Sequence, residues 1–576
     1  MLKFRALATP MLAIGLLAGS LAPSTAGASP TVSSSLKIHP FLQYGAQAEP
    51  LRTMRVIVQK TSPGASATSL ASKVLGHVVE EFKVVPAFVL ELPQGSISTL
   101  ALDSNVRYIS PDGPVQVLPQ LPLGPTSSTA THPQAPQPVD EHHTTVTAAN
   151  LQTTFPFDAG APNAWSGAAN WDHNPLTGAN VAVAVLDSGI DPTHADLNSH
   201  VVAVNVNRHA SGVVDGYGHG THVAGIIAGH DPTGQYLGIA PNATLLSVKV
   251  TDDTGSAYES DLLRGMDWVS TYRAQYNVRV VNLSVTTSLP ESYAISPVDA
   301  AVEALYHQNV TVVAAAGNLG SAEDAVWYAP GNDPLAITVG CLDDNQTTVA
   351  TDDSLCSISS RGVTEDGFAK PDLVAPGRKV ISALAAPFHG HDVTLAQEFP
   401  DHITADGRHI RLSGTSMAAP VVSGAIALLL ERAPGLSADL IRQILVTTAN
   451  TYPGKSDTAG AVNIPAAIAS SQHPPNHPAY GPLPVNGSAP PAGSHTLVWD
   501  GGSWGNVYWS SAHWDSAHWD SAHWDSAYWD SAHWDSAHWD SAHWDSAYWD
   551  SAHWDSAHWD GSHWNSAHWD AAANYD

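Results

Sequence analysis

Cysteine is nearly missing from this chain: Cys341 and Cys356 are the only two in 576 residues. That excludes a disulfide framework and a zinc site built on cysteine alone. One disulfide closing a short loop is the expected use, with two buried thiols as the alternative. Basic residues are scarce as well, 23 Lys and Arg against 53 Asp and Glu, for a formal charge of −30. Nonspecific affinity for nucleic acid comes from basic side chains displacing counterions, so nucleic acid is not an expected partner. Charged residues make up only 13% of the chain while 43% are hydrophobic, a balance that suits folded domains better than disorder. Beyond the N-terminal run no stretch of roughly 18 uninterrupted apolar residues occurs, so no integral membrane segment is expected.

Two compositional shifts organise what is there. Lys3 and Arg5 precede an apolar run from Met11 to Ala22 that ends in Ala26-Gly27-Ala28, the pattern of a secretory signal over residues 1–28. The expected location is therefore secreted, extracellular or at the cell surface. Residues 51–118 read as a small α+β unit, with Met54 to Val58 a strand, Ala65 to Leu75 a helix and Glu80 to Leu92 a strand again. Residues 119–147, rich in Pro, Ser, Thr and Gln, read as an exposed linker open to proteolysis. Over residues 150–470, Val/Ala/Leu runs such as Val181 to Leu186 alternate with helix-length segments such as Asp261 to Tyr272. Continuous apolar strands buried on both faces predict an α/β domain with a mainly parallel sheet. A second Pro-rich linker, 471–495, leads to a repeat tail, 496–576.

In that tail Trp recurs every five residues from Trp499 to Trp569, which places 15 of the 19 tryptophans there. Period five is neither helical nor strand-like, because an odd period flips faces along a strand. A four-sided β-coil with one pentad per side is one solution. Tyr508, Tyr528 and Tyr548 replace His at intervals of 20, one turn of such a coil. Rows of Trp would stack on cell-wall or other polysaccharide, and His-x-Asp pairs such as His513 with Asp515 would suit a metal ligand; a plain spacer is the alternative.

The chemistry-bearing residues lie in the α/β region. Asp187 ends an apolar strand and so stands at the carboxyl edge of the sheet, where ligands gather in open α/β folds. His219 lies in Gly218-His219-Gly220-Thr221-His222, at an expected helix start. Asn318 follows the strand Val312 to Ala316, and Ser416 lies in Gly414-Thr415-Ser416-Met417-Ala418-Ala419-Pro420, ahead of an apolar helix. Singly these read as a turn residue, a solvated loop histidine and a helix cap. Together, in the order Asp, His, Ser on an α/β pattern, they form a known order of hydrolytic triad.

These motif blocks closely resemble the subtilisin-like serine proteases. The resemblance implies a subtilisin-like three-layer fold, with Ser416 as nucleophile, His219 as general base and then acid, Asp187 as the residue that orients it, and Asn318 as oxyanion donor. His222 and Asp191 are assigned to structure. Val281-Asn282-Leu283-Ser284 resembles the strand that pairs with substrate, so Ser284, Val285, Thr286, Ala315 and Gly317 are expected to bind it. After this strand the family usually has glycines, whereas this chain has Val285-Thr286-Thr287, and Leu319 and Trp327 point to a neutral, apolar pocket. No cofactor is implied for catalysis. Asp196 matches a calcium ligand of the family, but Pro232 stands where an Asn ligand is expected, so calcium as a structural ion is weakly implied. Residues 51–118 resemble the family's inhibitory propeptide, which would fold with the enzyme, block its cleft and be cut off in the 119–147 linker. Charge agrees with a separable partner: residues 1–118 hold 9 basic and 6 acidic groups, whereas 119–495 hold 14 and 34. The expected function is a secreted endopeptidase made as an autoprocessed precursor and acting on polypeptides. The alternative is a cell-surface binding protein on an inactive protease fold, with the repeat tail as the binding module.

Overall fold

The computed structural model describes residues 37–43, 49–117, 146–197, 201–453 and 458–471, and short backbone strands between 498 and 569. The expected signal segment and most of both linkers lie outside the described residues.

The N-terminal unit is a four-stranded antiparallel sheet ordered β2-β3-β1-β4, from β1 (Thr53–Lys60), β2 (His77–Glu81), β3 (Ala87–Pro93) and β4 (Val106–Pro111). Helices α1 (Ala67–Ser72) and α2 (Ile97–Ala101) cover one face. Strand alternation decides what each face touches. Val56, Val58, Phe88 and Leu90 pack with these helices, whereas Ile57 and Val89 point the other way and join the core of the large domain. The single strand expected over Glu80 to Leu92 is two strands. Pro86 has no N–H for a ladder, and the N–H groups of Lys83 and Val84 donate instead to Asp267 Oδ1 of the large domain at 2.8 and 2.6 Å.

The large domain is built on an eight-stranded sheet in which β6 (Ala182–Asp187) is an interior strand. On one side it pairs with β8 (Thr244–Lys249) and then β7 (Val201–Asn205). On the other it pairs with β10 (Val278–Leu283), followed by β12 (Thr311–Ala315), β13 (Ile337–Asp343) and the short β14 (Ser354–Leu355). A further strand, β15 (Leu373–Pro376), also pairs with β13. All these pairs are parallel except β13 with β14. Helices α3 (His219–Ala228) and α6 (Thr415–Arg432) pack together on the sheet, and α4 (Glu259–Tyr276) packs with α5 (Pro297–His307). Ala184, Leu186, Val281, Leu283, Val313 and Ala314 are all fully buried, which is why these strands read as unbroken apolar runs. Cys341 and Cys356 form a disulfide, joining β13 to the segment after β14.

Two more pieces frame the site. A hairpin of β16 (Val380–Ala383) and β17 (His409–Leu412) leads directly into α6. Between the units, β5 (Pro114–Val117) lies antiparallel between β9 (Ser256–Tyr258) and β11 (Val285–Thr287).

In the tail, short strands pair in parallel with strands twenty residues further on. Trp509 pairs with Trp529, Trp514 with Trp534, Trp519 with Trp539 and Trp524 with Trp544, in four separate sheets. Among the described residues, no helix is long and apolar enough to cross a membrane.

Candidate active site

β6 delivers Asp187 fully buried to the carboxyl edge of the sheet. Its Oδ1 accepts from the Ser188 N–H at 2.7 Å and lies 2.8 Å from Nδ1 of His219, with Oδ2 at 3.0 Å from the same nitrogen. His219 opens α3 between two glycines that the geometry requires. Gly218 has φ +105, a region favoured by glycine. A Cβ on Gly220 would sit 2.1 Å from the Gly189 carbonyl oxygen.

With its Nδ1–H held by a carboxylate, His219 presents Nε2 as the free lone pair, and this atom is buried with no hydrogen-bond partner. An imidazole held in this way is ready to take a proton. Beneath it lies Asp215, which no local sequence pattern distinguishes. Its carboxylate accepts from the N–H groups of Gly218 and Thr221 at 2.7 and 2.8 Å, and from the hydroxyls of Thr221 and Ser188 at 2.7 and 2.8 Å. Burial pushes the Asp215 carboxyl up, and these four bonds oppose it. Ser188 Oγ also accepts from Gly220 N at 2.9 Å, so Asp215 ties the segment after Asp187 to the first turn of α3. His222 lies between the carbonyls of Val380 and Ile410 at 3.2 and 3.1 Å, and burial lowers its pKa to about 3. It is a neutral packing residue, as assigned from the sequence.

Ser416 is the second residue of α6. Pro420, four residues on, has no N–H to return to the Ser416 carbonyl, and the Ser284 hydroxyl fills that place at 3.0 Å. In turn the Ser416 hydroxyl donates to the Ser284 carbonyl at 3.2 Å. Asn318 is fixed through its oxygen, which accepts from Thr415 N at 3.0 Å and Thr415 Oγ1 at 3.1 Å. That aims its Nδ2 away from Thr415, and Nδ2 is buried without a partner. Gly317, at φ +100, donates its N–H to Thr415 Oγ1 at 3.1 Å. Ala315 is the buried last residue of β12. Thr415 is thus a second residue that sequence reading missed: it reads as a helix start, and its grip on Asn318 spans 97 positions.

The expected substrate strand is occupied. Val117 pairs with Val285, Gln116 with Thr286 and Val115 with Thr287, while Gln116 and Pro114 pair with Ser256 and Tyr258 on the other side. Just before this strand, the Asp112 carboxylate accepts from Ser260 N and Ser260 Oγ, both at 2.9 Å, at the first turn of α4, where a helix favours negative charge. Arg55 lies 2.8 Å from the same carboxylate. Elsewhere Arg107 and Gln59 donate to the carbonyls of Ala294 and Ile295, and Ser110 donates to Glu291 at 3.0 Å.

Asp196 is buried, but its neighbours do not make an oxygen cage. One carboxylate oxygen lies 2.8 Å from His409 Nε2 and the other 3.7 Å from His194 Nδ1. Calcium takes six to eight oxygen ligands, and imidazole nitrogens do not fit that set.

An imidazole oriented by a buried carboxylate, a serine at a helix start and an unpaired carboxamide donor, on a parallel α/β sheet, define a serine hydrolase. Comparison with known proteins narrows the class. A sequence profile of the Subtilase family, Peptidase_S8, matches residues 178–464. Serine protease AprX of Bacillus subtilis (strain 168) is 35% identical over 300 residues, which cover 50% of this chain and 66% of that one. Subtilisin DY of Bacillus licheniformis is 34% identical over 302 residues, covering 50% of this chain and 91% of that protein. The chain belongs to the subtilase family of serine endopeptidases. Among solved structures, fervidolysin from Fervidobacterium pennivorans shares the fold, with TM-score 0.54 and 24% identity over 76% of this chain and 62% of that one.

Proposed function

We propose that this chain is a secreted endopeptidase, made with a signal segment (1–28) and an inhibitory prosegment (51–118), that cleaves peptide bonds through an acyl-enzyme on Ser416. The observation that carries this reading is His219, with Nδ1 on Asp187 and a buried Nε2 that has no partner. In the reaction, the Ser416 hydroxyl leaves the Ser284 carbonyl and gives its proton to His219 Nε2 as its oxygen attacks the substrate carbonyl. The Asn318 amide and the Ser416 N–H stabilise the resulting oxyanion, and the Asp187 carboxylate stabilises the imidazolium. The imidazolium then protonates the leaving amine, and water repeats the sequence to free the acyl group. No cofactor enters this chemistry. Calcium at Asp196, implied by the resemblance, is not supported by the donor set there.

The substrate lies as a strand beside Ser284, Val285 and Thr286, with Ala315 and Gly317 lining the pocket for the residue before the scissile bond. Leu319, about half exposed, and Trp327 make that pocket neutral and apolar. The prosegment's β5 holds the same place as an intramolecular inhibitor until the 119–147 linker is cut. The repeat tail (496–576) serves as a binding module for polysaccharide or metal.

Expression of the full chain and of its Ser416→Ala variant tests the reading. The wild type should hydrolyse an unstructured protein and lose its N-terminal unit, and the variant should do neither. A folded wild type that does neither, yet binds cells through its tail, would favour the binding-protein alternative. A peptide-library profile dominated by Lys or Arg before the scissile bond would remove the apolar pocket.

A further inference from the structure

The cluster that does not fit calcium has a different chemistry. His194 Nδ1, a carboxylate oxygen of Asp196 and His409 Nε2 lie within 4.8 Å of one another, and all three residues are buried. Each imidazole has its other nitrogen engaged. His194 Nε2 lies 2.9 Å from the Arg408 carbonyl, to which it can only donate, so Nδ1 carries the lone pair. His409 Nδ1 lies 2.7 Å from Asp406 Oδ2. A histidine whose second N–H goes to a carbonyl or carboxylate is the arrangement that orients metal-binding imidazoles. Tyr236 stacks on the His409 ring with centroids 3.8 Å apart, fixing its plane.

An independent sign is the second oxygen of Asp196. Oδ1 is buried with no hydrogen-bond partner, on a side chain only 2% exposed. A buried carboxylate oxygen without a partner carries the full desolvation penalty of that group, and it faces His194 Nδ1 at 3.7 Å.

We propose that His194, Asp196 and His409 form a binding site for a late first-row divalent cation, Zn²⁺ above all, with water as the fourth ligand. Two ligands at about 2.0 Å on a tetrahedral zinc stand roughly 3.3 Å apart; the Asp196 carboxylate spans the two imidazoles, with separations of 2.8 Å from Oδ2 to His409 Nε2 and 3.7 Å from Oδ1 to His194 Nδ1. Binding lengthens the first, shortens the second and displaces the 3.2 Å contact from Asp196 N–H to His194 Nδ1. Two imidazoles and one carboxylate favour zinc over calcium or magnesium by donor type. The ion would join the segment that follows Asp187 to β17, seven residues before Ser416, and so hold together the supports of both side chains.

The test uses the full chain carrying Ser416→Ala, which prevents self-digestion, after removal of metal by chelator. Because the tail carries ten histidines of its own, the readout is a difference. Zn²⁺ bound per chain should fall by one equivalent in His409→Gln, and Co²⁺ should give tetrahedral visible bands that this variant lacks. Zn²⁺ should raise the melting temperature of the parent but not of the variant, and Ca²⁺ should raise neither. Asp406→Asn, which leaves all three ligands in place, should fold normally and bind Zn²⁺ about 10- to 100-fold more weakly at this site. Equal zinc content and equal melting shifts in parent, His409→Gln and Asp406→Asn would overturn the assignment, as would Ca²⁺ matching Zn²⁺ in the parent.

Discussion

The Ser416 hydroxyl donates to a backbone carbonyl while His219 Nε2 has no partner, so the proposed mechanism requires that hydroxyl to rotate first. Residues that keep the other donors in place should then be separable by kinetics. Asn318→Ala removes a donor that acts on the developing oxyanion, and kcat on a peptide substrate should fall about 10²- to 10³-fold with KM little changed. A loss in KM alone would place Asn318 in ground-state binding. Asp187→Asn leaves the shape intact but favours the wrong tautomer, and kcat should drop about 10⁴-fold. Asp187, His219, Asn318 and Ser416 stand out in the sequence as candidates because each sits in a local run of glycines and small residues next to a strand or helix. Asp215 and Thr415 were not, since their partners are defined by hydrogen bonds that cross between elements. His409 was hidden for the same reason, lying 213 positions from Asp196.

Among the elements, the N-terminal unit has the clearest consequence. Its β4 and β5 cover Glu291 and Glu259, and burial raises the Glu291 carboxyl to about 8 and holds Glu259 well above its ordinary range. Arg107 opposes the shift at Glu291, whereas Glu365 adds to it; Asp112 and Glu291 add to that at Glu259. Carboxyls held neutral in the complex ionise once uncovered. Their contribution is therefore complete below about pH 4.5 and is lost as pH rises towards 8. If the N-terminal unit is the proposed prosegment, its release after cleavage of the linker, followed by gel filtration, should increase between about pH 5 and 8. Tighter retention at the upper end would contradict this. The disulfide belongs to this scale too. It closes a span of 15 residues, so replacing both cysteines by Ala should cost about 3 kcal/mol in denaturant titration of the inactive chain. The parallel sheet was readable from its apolar runs, and the α4 helix extends past both expected ends, with Asp261 capping its start and Asn277, at φ +52, closing its end. The break between β2 and β3 was not readable, because its hydrogen bonds are completed by Asp267 of another domain.

For the molecule as a whole, charge is divided by region. The N-terminal unit carries a small positive excess, the catalytic region is strongly acidic, and the tail holds 13 Asp and 10 His with no Lys, Arg or Glu. Protonation of those histidines near pH 6.5 would move the tail from −13 to about −3. Its hydrodynamic size should therefore decrease between about pH 7.5 and 5, and a size unchanged across that range would exclude a pH-responsive tail. The catalytic expectations depend on the large domain being a working protease. The most direct measurement is labelling of the processed wild-type protein with a fluorophosphonate, followed by peptide mass spectrometry. One equivalent on Ser416, lost in His219→Ala, is the predicted result. A folded, processed protein that remains unlabelled, or is labelled at another serine, would contradict it.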